Sequence, residues 1–386
     1  MTATSALGLA ERADSPAMPR VDAVELRRVA LPLVAPFRTS FGTQTVRDAL
    51  LVHVHCADAE GWGECVALAE PLYSSEYVAA AEAVLRDHLV PRLLGVDGVT
   101  PARVATLLQP VHGHRMAKAA LEMAVLDASL RRARMSLATF LGATRDAVDC
   151  GVSVGIMDSV PELLDAVEGY VAAGYRRIKL KIMPGWDVEP VRAVRHRFGA
   201  SLPLQVDANA AYTLNDAAQL ARLDDCDLLL VEQPLAEDDL RGHAELARRM
   251  RTPICLDESV VSSRAAVDAL LLGACSVVNI KPGRVGGYLE ARRVHDVCTA
   301  FGVGVWCGGM LETGIGRAAN VALAALPGFV LPGDTSGSDR YYAEDITAPL
   351  LMQDGRLAVP QGPGLGVDVE AAALERHTTS RVLLRA

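Results

Sequence analysis

The chain has 386 residues, of which 51% are hydrophobic and 22% charged, an ordinary globular composition with length for one large barrel and a smaller domain. Its formal net charge is 38 − 47 = −9, with both signs mixed along the sequence, so no basic face is available and nucleic acid is not an expected partner. No run of about 18 apolar residues occurs, so neither a membrane span nor a membrane partner is expected and the protein reads as cytoplasmic.

Residues 1–18 lack the apolar core of a secretory signal and read as a disordered extension, with Met18 an alternative start. Residues 19–140 open with two β-like stretches, VDAVELRRVALPL and DALLVHVHC. Helical patterns follow near 74–96, 101–109 and 115–134, which predicts a separate α+β unit. His53 and His55 form an H-x-H pair on the second stretch. They precede the later repeat and have no histidine partners at its strand ends, so they read as surface or core histidines. The eight cysteines form no C-x-x-C pair and sit mostly in apolar runs, as buried reduced thiols do.

From residue 150 short β-rich runs alternate with helical segments: CGVSVG, RIKLKI, LPLQVDAN, DLLLVEQP, TPICLDES, SVVNIKPG, GVGVWCGG and, weakly, FVLPGD. The run-end residues Gly155, Lys181, Asp207, Glu232, Asp257, Lys281 and Cys307 are spaced by 26, 26, 25, 25, 24 and 26. That period is one strand, one helix and two short loops. Runs apolar on both faces predict a closed parallel barrel over 150–340, with its site at the C-terminal strand ends. An open doubly wound sheet is the alternative, but CGVSVG is not the glycine-rich phosphate turn such a sheet usually carries. Residues 341–386 break the period, read as short strands around D-G and P-G turns, and are expected to pack on the N-terminal unit.

Asp207, Glu232 and Asp257 end three consecutive runs, so barrel closure would bring three carboxylates to one rim. Unpaired they would repel one another, and a hard divalent cation removes that cost. Oxygen ligands with open positions suit magnesium, with manganese a substitute. Helix capping is the competing reading, but Thr213 or Asn215 and Ser259 or Ser262 are better placed to cap. Lys179 and Lys181 share one face of their strand, and Lys281 ends the strand after Asp257, which puts an ammonium on each side of the carboxylates. Lys179 would depress the pKa of Lys181, and Lys181 would take a proton α to a substrate carboxylate. Returning a proton on the opposite face gives racemisation, and loss of a β-leaving group gives dehydration. The segment 308–316, GGMLETGIG, reads as a flexible loop over the mouth.

Together K-x-K, D-x-N, V-E-Q-P, D-E-S and N-I-K-P-G-R-x-G-G resemble the muconate-lactonizing subgroup of the enolase superfamily, and within it the o-succinylbenzoate synthase / N-succinylamino acid racemase family of the second bacterial type. Lysine bases working with magnesium are a known device of that superfamily. The resemblance implies a (β/α)7β TIM-like barrel, with an α+β capping domain built from the N-terminal part and the C-terminal tail. It also implies that Asp207, Glu232 and Asp257 bind magnesium, that Lys181 and Lys281 are the acid/base pair, and that Ser153, Lys179, Asn209 and Arg284 lie in or near the pocket. Arg284 is the residue the resemblance associates with racemase capability. Segments 36–44 and EPLYSSEY would cover a small carboxylate substrate, and the protein would form homo-oligomers. The implied reaction is dehydration of 2-succinyl-6-hydroxy-2,4-cyclohexadiene-1-carboxylate to o-succinylbenzoate for menaquinone synthesis, with N-acylamino acid racemisation as the alternative at the same site. Two rivals from other classes are weaker. A Schiff-base aldolase using Lys281 leaves the carboxylates unexplained, and a non-catalytic binding module would not need all five residues.

Overall fold

A computed structural model describes residues 20–386, so the expected extension over 1–18 lies outside the described residues. The N-terminal unit is an antiparallel sheet of β1 (Val21–Thr39), β2 (Gly42–Cys56) and β3 (Glu60–Cys65), joined at its far edge by the terminal strand β13 (Thr378–Arg385) in the order β13-β1-β2-β3. Alternation buries Val24, Leu26, Val52 and Val54 against helices on one face. Strand β3, GWGEC, was not among the expected strands. Its two glycines have a packing reason: a Cβ on Gly61 would lie 2.3 Å from the Ala124 carbonyl oxygen, and one on Gly63 2.0 Å from that of Ala120. Helix Arg115–Arg132 therefore rests with its alanine stripe directly on the strand backbone.

The tail returns as the sequence suggested. β13 pairs with β1, placing Leu384 opposite Val24. Before it, β12 (Arg356–Ala358) pairs with β4 (Ala147–Asp149), and the D-G turn ahead of β12 has both residues left-handed, at φ 49° for Asp354 and 74° for Gly355.

The barrel strands are β5 (Gly151–Val154), β6 (Arg177–Lys181), β7 (Leu204–Asp207), β8 (Val231–Glu232), β9 (Ile254–Leu256), β10 (Val277–Ile280) and β11 (Gly304–Cys307). They form one parallel sheet in chain order. The weak eighth run closes it with isolated bridges: Val330 N–H donates to the Val305 carbonyl (3.1 Å), and Gly151 N–H to that of Gly333 (2.7 Å). Closure removes the open-sheet alternative. Apolar side chains from strands and helices form one continuous core.

The sheet unit is fastened to the barrel by polar groups at defined places. The Ile156 N–H donates to the Arg38 carbonyl at 3.0 Å, which holds the end of β1 over the exit of β5. A carboxylate of the sheet unit caps each of two barrel helices. Glu64 accepts from the Thr313 and Gly316 N–H groups at 3.1 Å, and Glu122 accepts from Leu289 N–H at 3.1 Å. Burial pushes both carboxyls up to about 7. Eight free cysteines complete the inventory, seven of them buried.

Candidate active site

Strand β6 answers the question its two lysines raise. Ile178, Leu180 and Ile182 enter the core, while Lys179 and Lys181 point to the same cavity at the C-terminal strand ends. In register, Lys181 lies beside Asp207 and Asp207 beside Glu232, so strand pairing alone brings these charges together.

On the β6–β7 side, Lys181 Nζ donates to Asp207 Oδ2 and to Asn209 Oδ1, both at 2.6 Å. Asn209 is held by a left-handed backbone (φ 44°), by its N–H on Asp207 Oδ1 (3.0 Å) and by its amide on Glu258 Oε1 (3.0 Å). Lys179 is 2% exposed, and its ammonium lies 2.6 Å from Asp334, 3.1 Å from Glu232 and 3.3 Å from Asp207, above the Trp306 ring. Burial works against its charge, but Asp334, Glu232 and Asp207 outweigh it and raise the Lys179 pKa. Lys179 thus does not face Lys181 as an unpaired charge; the two ammoniums share Asp207. Despite its burial, Asp207 is held below the usual carboxylate range by Lys181 and Lys179.

Across the mouth, Lys281 Nζ donates to Asp257 Oδ2 at 2.7 Å and to the Tyr73 hydroxyl at 3.1 Å. Burial opposes its charge, and Tyr73, Glu258, Glu232 and Asp207 together raise its pKa. Tyr73 also donates to Asp257 Oδ1 (3.1 Å). Arg284 pairs with the same oxygen and donates to the carbonyls of Val260 (2.9 Å) and Asn279 (2.5 Å). Arg284 therefore sits behind Asp257, in the wall of a neighbouring cavity with Tyr73 and Glu258; Lys179, Lys181, Lys281, Ser153 and Asn209 line the cavity at the barrel mouth. The Ser153 hydroxyl is buried without a partner.

The three expected ligands, Asp207, Glu232 and Asp257, are at most 1% exposed. Their oxygens are not drawn into one cage: among the described residues, the group of three metal-ligating side chains whose donor atoms all lie within 4.8 Å of one another is His53, His55 and Glu60. Each of the three carboxylates is turned instead to a lysine or arginine. The donor set still fits a hard divalent cation, being all oxygen, buried and on adjacent strands. None of the three is spent on capping a barrel helix: Thr213, Asp239 and Ser262 stand at the N-caps of the helical segments that follow them.

Several functional groups escaped sequence reasoning. Asp334 binds Lys179 and Arg177 from the irregular eighth segment (2.6 and 2.9 Å). Its signal was the spacing, because it follows Cys307 by 334 − 307 = 27 residues. Asn279 donates to Glu232 at 2.7 Å, and Glu258 is pushed up to about 7 by burial and by Asp207 and Glu232, against Lys281. Cys307, the last residue of the spacing series, is only a buried thiol. Over the mouth, Phe37, Thr39, Phe41 and Gln44 come from the β1–β2 hairpin, and Met310 and Leu311 from 308–316. That last segment is not a loose flap. Met310 and Leu311 are each 7% exposed, and Thr313 is tied to Glu64.

Residues 23–142 match the mandelate racemase / muconate lactonizing enzyme N-terminal domain, and residues 162–373 match the enolase C-terminal domain-like family. The chain is 66% identical to an N-succinylamino acid racemase of Amycolatopsis sp, covering 94% of this chain and 99% of that one. It is 48% identical to the o-succinylbenzoate synthase of Geobacillus kaustophilus (93% and 96% covered). The crystal structure of an enolase superfamily member from Listeria innocua superposes with a TM-score of 0.92 at 39% identity, covering 95% of this chain and all of that one. Enzymes of this superfamily generally use a divalent metal. With two opposed lysines above three buried carboxylates, and relatives of both names matched over nearly their whole length, the chain belongs to the o-succinylbenzoate synthase / N-succinylamino acid racemase family of the enolase superfamily.

Proposed function

We propose that the protein dehydrates 2-succinyl-6-hydroxy-2,4-cyclohexadiene-1-carboxylate to o-succinylbenzoate, and that the same site racemises N-succinylamino acids. The observation that carries this reading is the position of Lys181 and Lys281. They stand four strands apart in a ring of seven strands and one closing segment, so they approach a bound Cα from opposite sides. Asp207, Glu232 and Asp257 would hold magnesium, for which manganese can substitute. The cation would supply electrostatic stabilisation for the negative charge that develops on the substrate carboxylate.

The protein's own residues do the rest. In dehydration Lys181 removes the α-proton and passes it to the departing hydroxyl, which leaves as water. Lys281 stays protonated, held by Asp257 and Tyr73, and its charge faces the developing anion. In racemisation one lysine removes the Cα proton and the other delivers a proton to the opposite face. The 66% identity to a racemase favours keeping this second activity alongside the first.

A divalent cation would add two positive charges at the mouth, which suits an anionic substrate carboxylate. The hairpin's Phe37 and Phe41 with Met310 and Leu311 give the outer cavity an apolar wall for the substrate's carbon skeleton.

The test is formation of o-succinylbenzoate by purified protein with magnesium and then with excess chelator. Rapid conversion that the chelator stops is expected, and conversion indifferent to chelator would reject the metal assignment. The free thiols suit a cytoplasmic enzyme. The exposed pair Leu271 (71%) and Leu272 (44%) suits burial between copies, so a homo-oligomer is expected in light scattering.

A further inference from the structure

The H-x-H pair of β2 gains a partner in three dimensions. Glu60 stands directly opposite His55 in the β2–β3 register, and His53 opposite Trp62. Gly61 and Gly63 face helix Arg115–Arg132, so Glu60 and Trp62 lie on the other face of the sheet with His53 and His55. The donor atoms of His53, His55 and Glu60 all lie within 4.8 Å of one another, and His53 Nε2 is already 3.3 Å from Glu60 Oε2.

We infer that His53, His55 and Glu60 form a second metal site, for a borderline-soft divalent cation such as zinc, on the capping sheet and apart from the barrel mouth. Tetrahedral zinc with ligands at about 2.0–2.1 Å needs neighbouring donors about 3.3–3.4 Å apart, the separation His53 and Glu60 already have. His53 is 9% exposed, and its Nε2 is buried with no hydrogen-bond partner, an unmet valence aimed at Glu60. Its ring is fixed by stacking on Trp62, 3.8 Å between centroids. Arg27, Arg131 and Arg381 lie nearby, and the neutral imidazole is the form that binds a metal. Those arginines do not bar a cation. Arg27 and Arg381 each pair with Glu25 at 2.7 Å, and Arg131 pairs with Asp127 (3.1 Å) and Asp368 (2.8 Å). Glu60 is largely exposed, which opens the site to solvent and leaves a fourth position for water. Because β3 is the edge strand, the cation would pin it to β2.

The experiment titrates zinc into magnesium-saturated full-length protein, with cobalt as a spectroscopic substitute, in the wild type, His55→Gln and Glu60→Gln. These two side chains are half-buried and exposed, so both variants are expected to fold and to keep magnesium-dependent turnover, whereas His53 variants would also lose the Trp62 stack. One zinc per chain is expected in the wild type, weakened at least about tenfold in each variant, together with a tetrahedral cobalt band that both variants lose. No zinc bound by the wild type, or equal zinc affinity in all three proteins, would overturn the inference.

Discussion

The two sides of the barrel mouth are built differently. Around Lys181 every partner belongs to the barrel: Asp207, Asn209 and, through the shared carboxylate, Lys179 with Asp334. Around Lys281 the set is completed from outside, because Tyr73 of the capping unit bonds both Lys281 and Asp257. One lysine is thus positioned by strand register alone, and the other depends on how the cap sits. Dehydration, which on this account uses Lys181 for both proton transfers, should tolerate disturbance of the cap better than racemisation, which needs both sides.

Removing the barrel side altogether gives the largest effect. Lys181→Ala should lower both dehydration and racemisation by roughly a hundred- to ten-thousand-fold with the circular dichroism spectrum unchanged; normal turnover would break the scheme. Lys281→Arg keeps a cation but not a proton donor of suitable acidity, so racemisation should fall by a similar factor while dehydration falls much less, as comparative rate measurements would show. Asp207→Asn should weaken magnesium binding by at least roughly 10- to 100-fold in a calorimetric titration, and unchanged affinity would remove Asp207 from the ligand set. The smallest change tests the cap directly. Tyr73→Phe deletes two hydrogen bonds to the Lys281 side, at about 1 kcal/mol each, so racemisation should drop roughly thirtyfold with dehydration nearly unaffected. Equal losses in the two reactions would erase the distinction between the sides.

The same contrast decides what could be read in the sequence. That Lys181, Asp207, Glu232, Asp257 and Lys281 stand at successive strand ends was legible because a βα unit has nearly constant length and strand ends recur with it. The shared face of Lys179 and Lys181 was legible from alternation. What Lys179 does was not, since Asp334 lies on a segment broken by Pro332 that pairs only through isolated bridges. Strand β3 was hidden for a related reason: Gly61 and Gly63 make GWGEC look like a turn, and only the helix lying against them explains the glycines. Tyr73 belonged to a stretch expected over the substrate, but its bonds to Lys281 and Asp257 join residues some 200 positions apart, beyond any local pattern. Arg284 was expected in or near the pocket, and the structure places it behind Asp257, lining an adjoining cavity with Tyr73 and Glu258.

The central claim is that two lysines reach one Cα from opposite faces. It is tested most directly by deuterium exchange at Cα of N-succinyl-L- and N-succinyl-D-amino acids in heavy water, using Lys181→Ala and Lys281→Arg. The account predicts that neither variant racemises, and that each still exchanges one enantiomer, the opposite one in the two variants. Loss of exchange with both enantiomers in either variant, or retention of the same enantiomer by both, would contradict it.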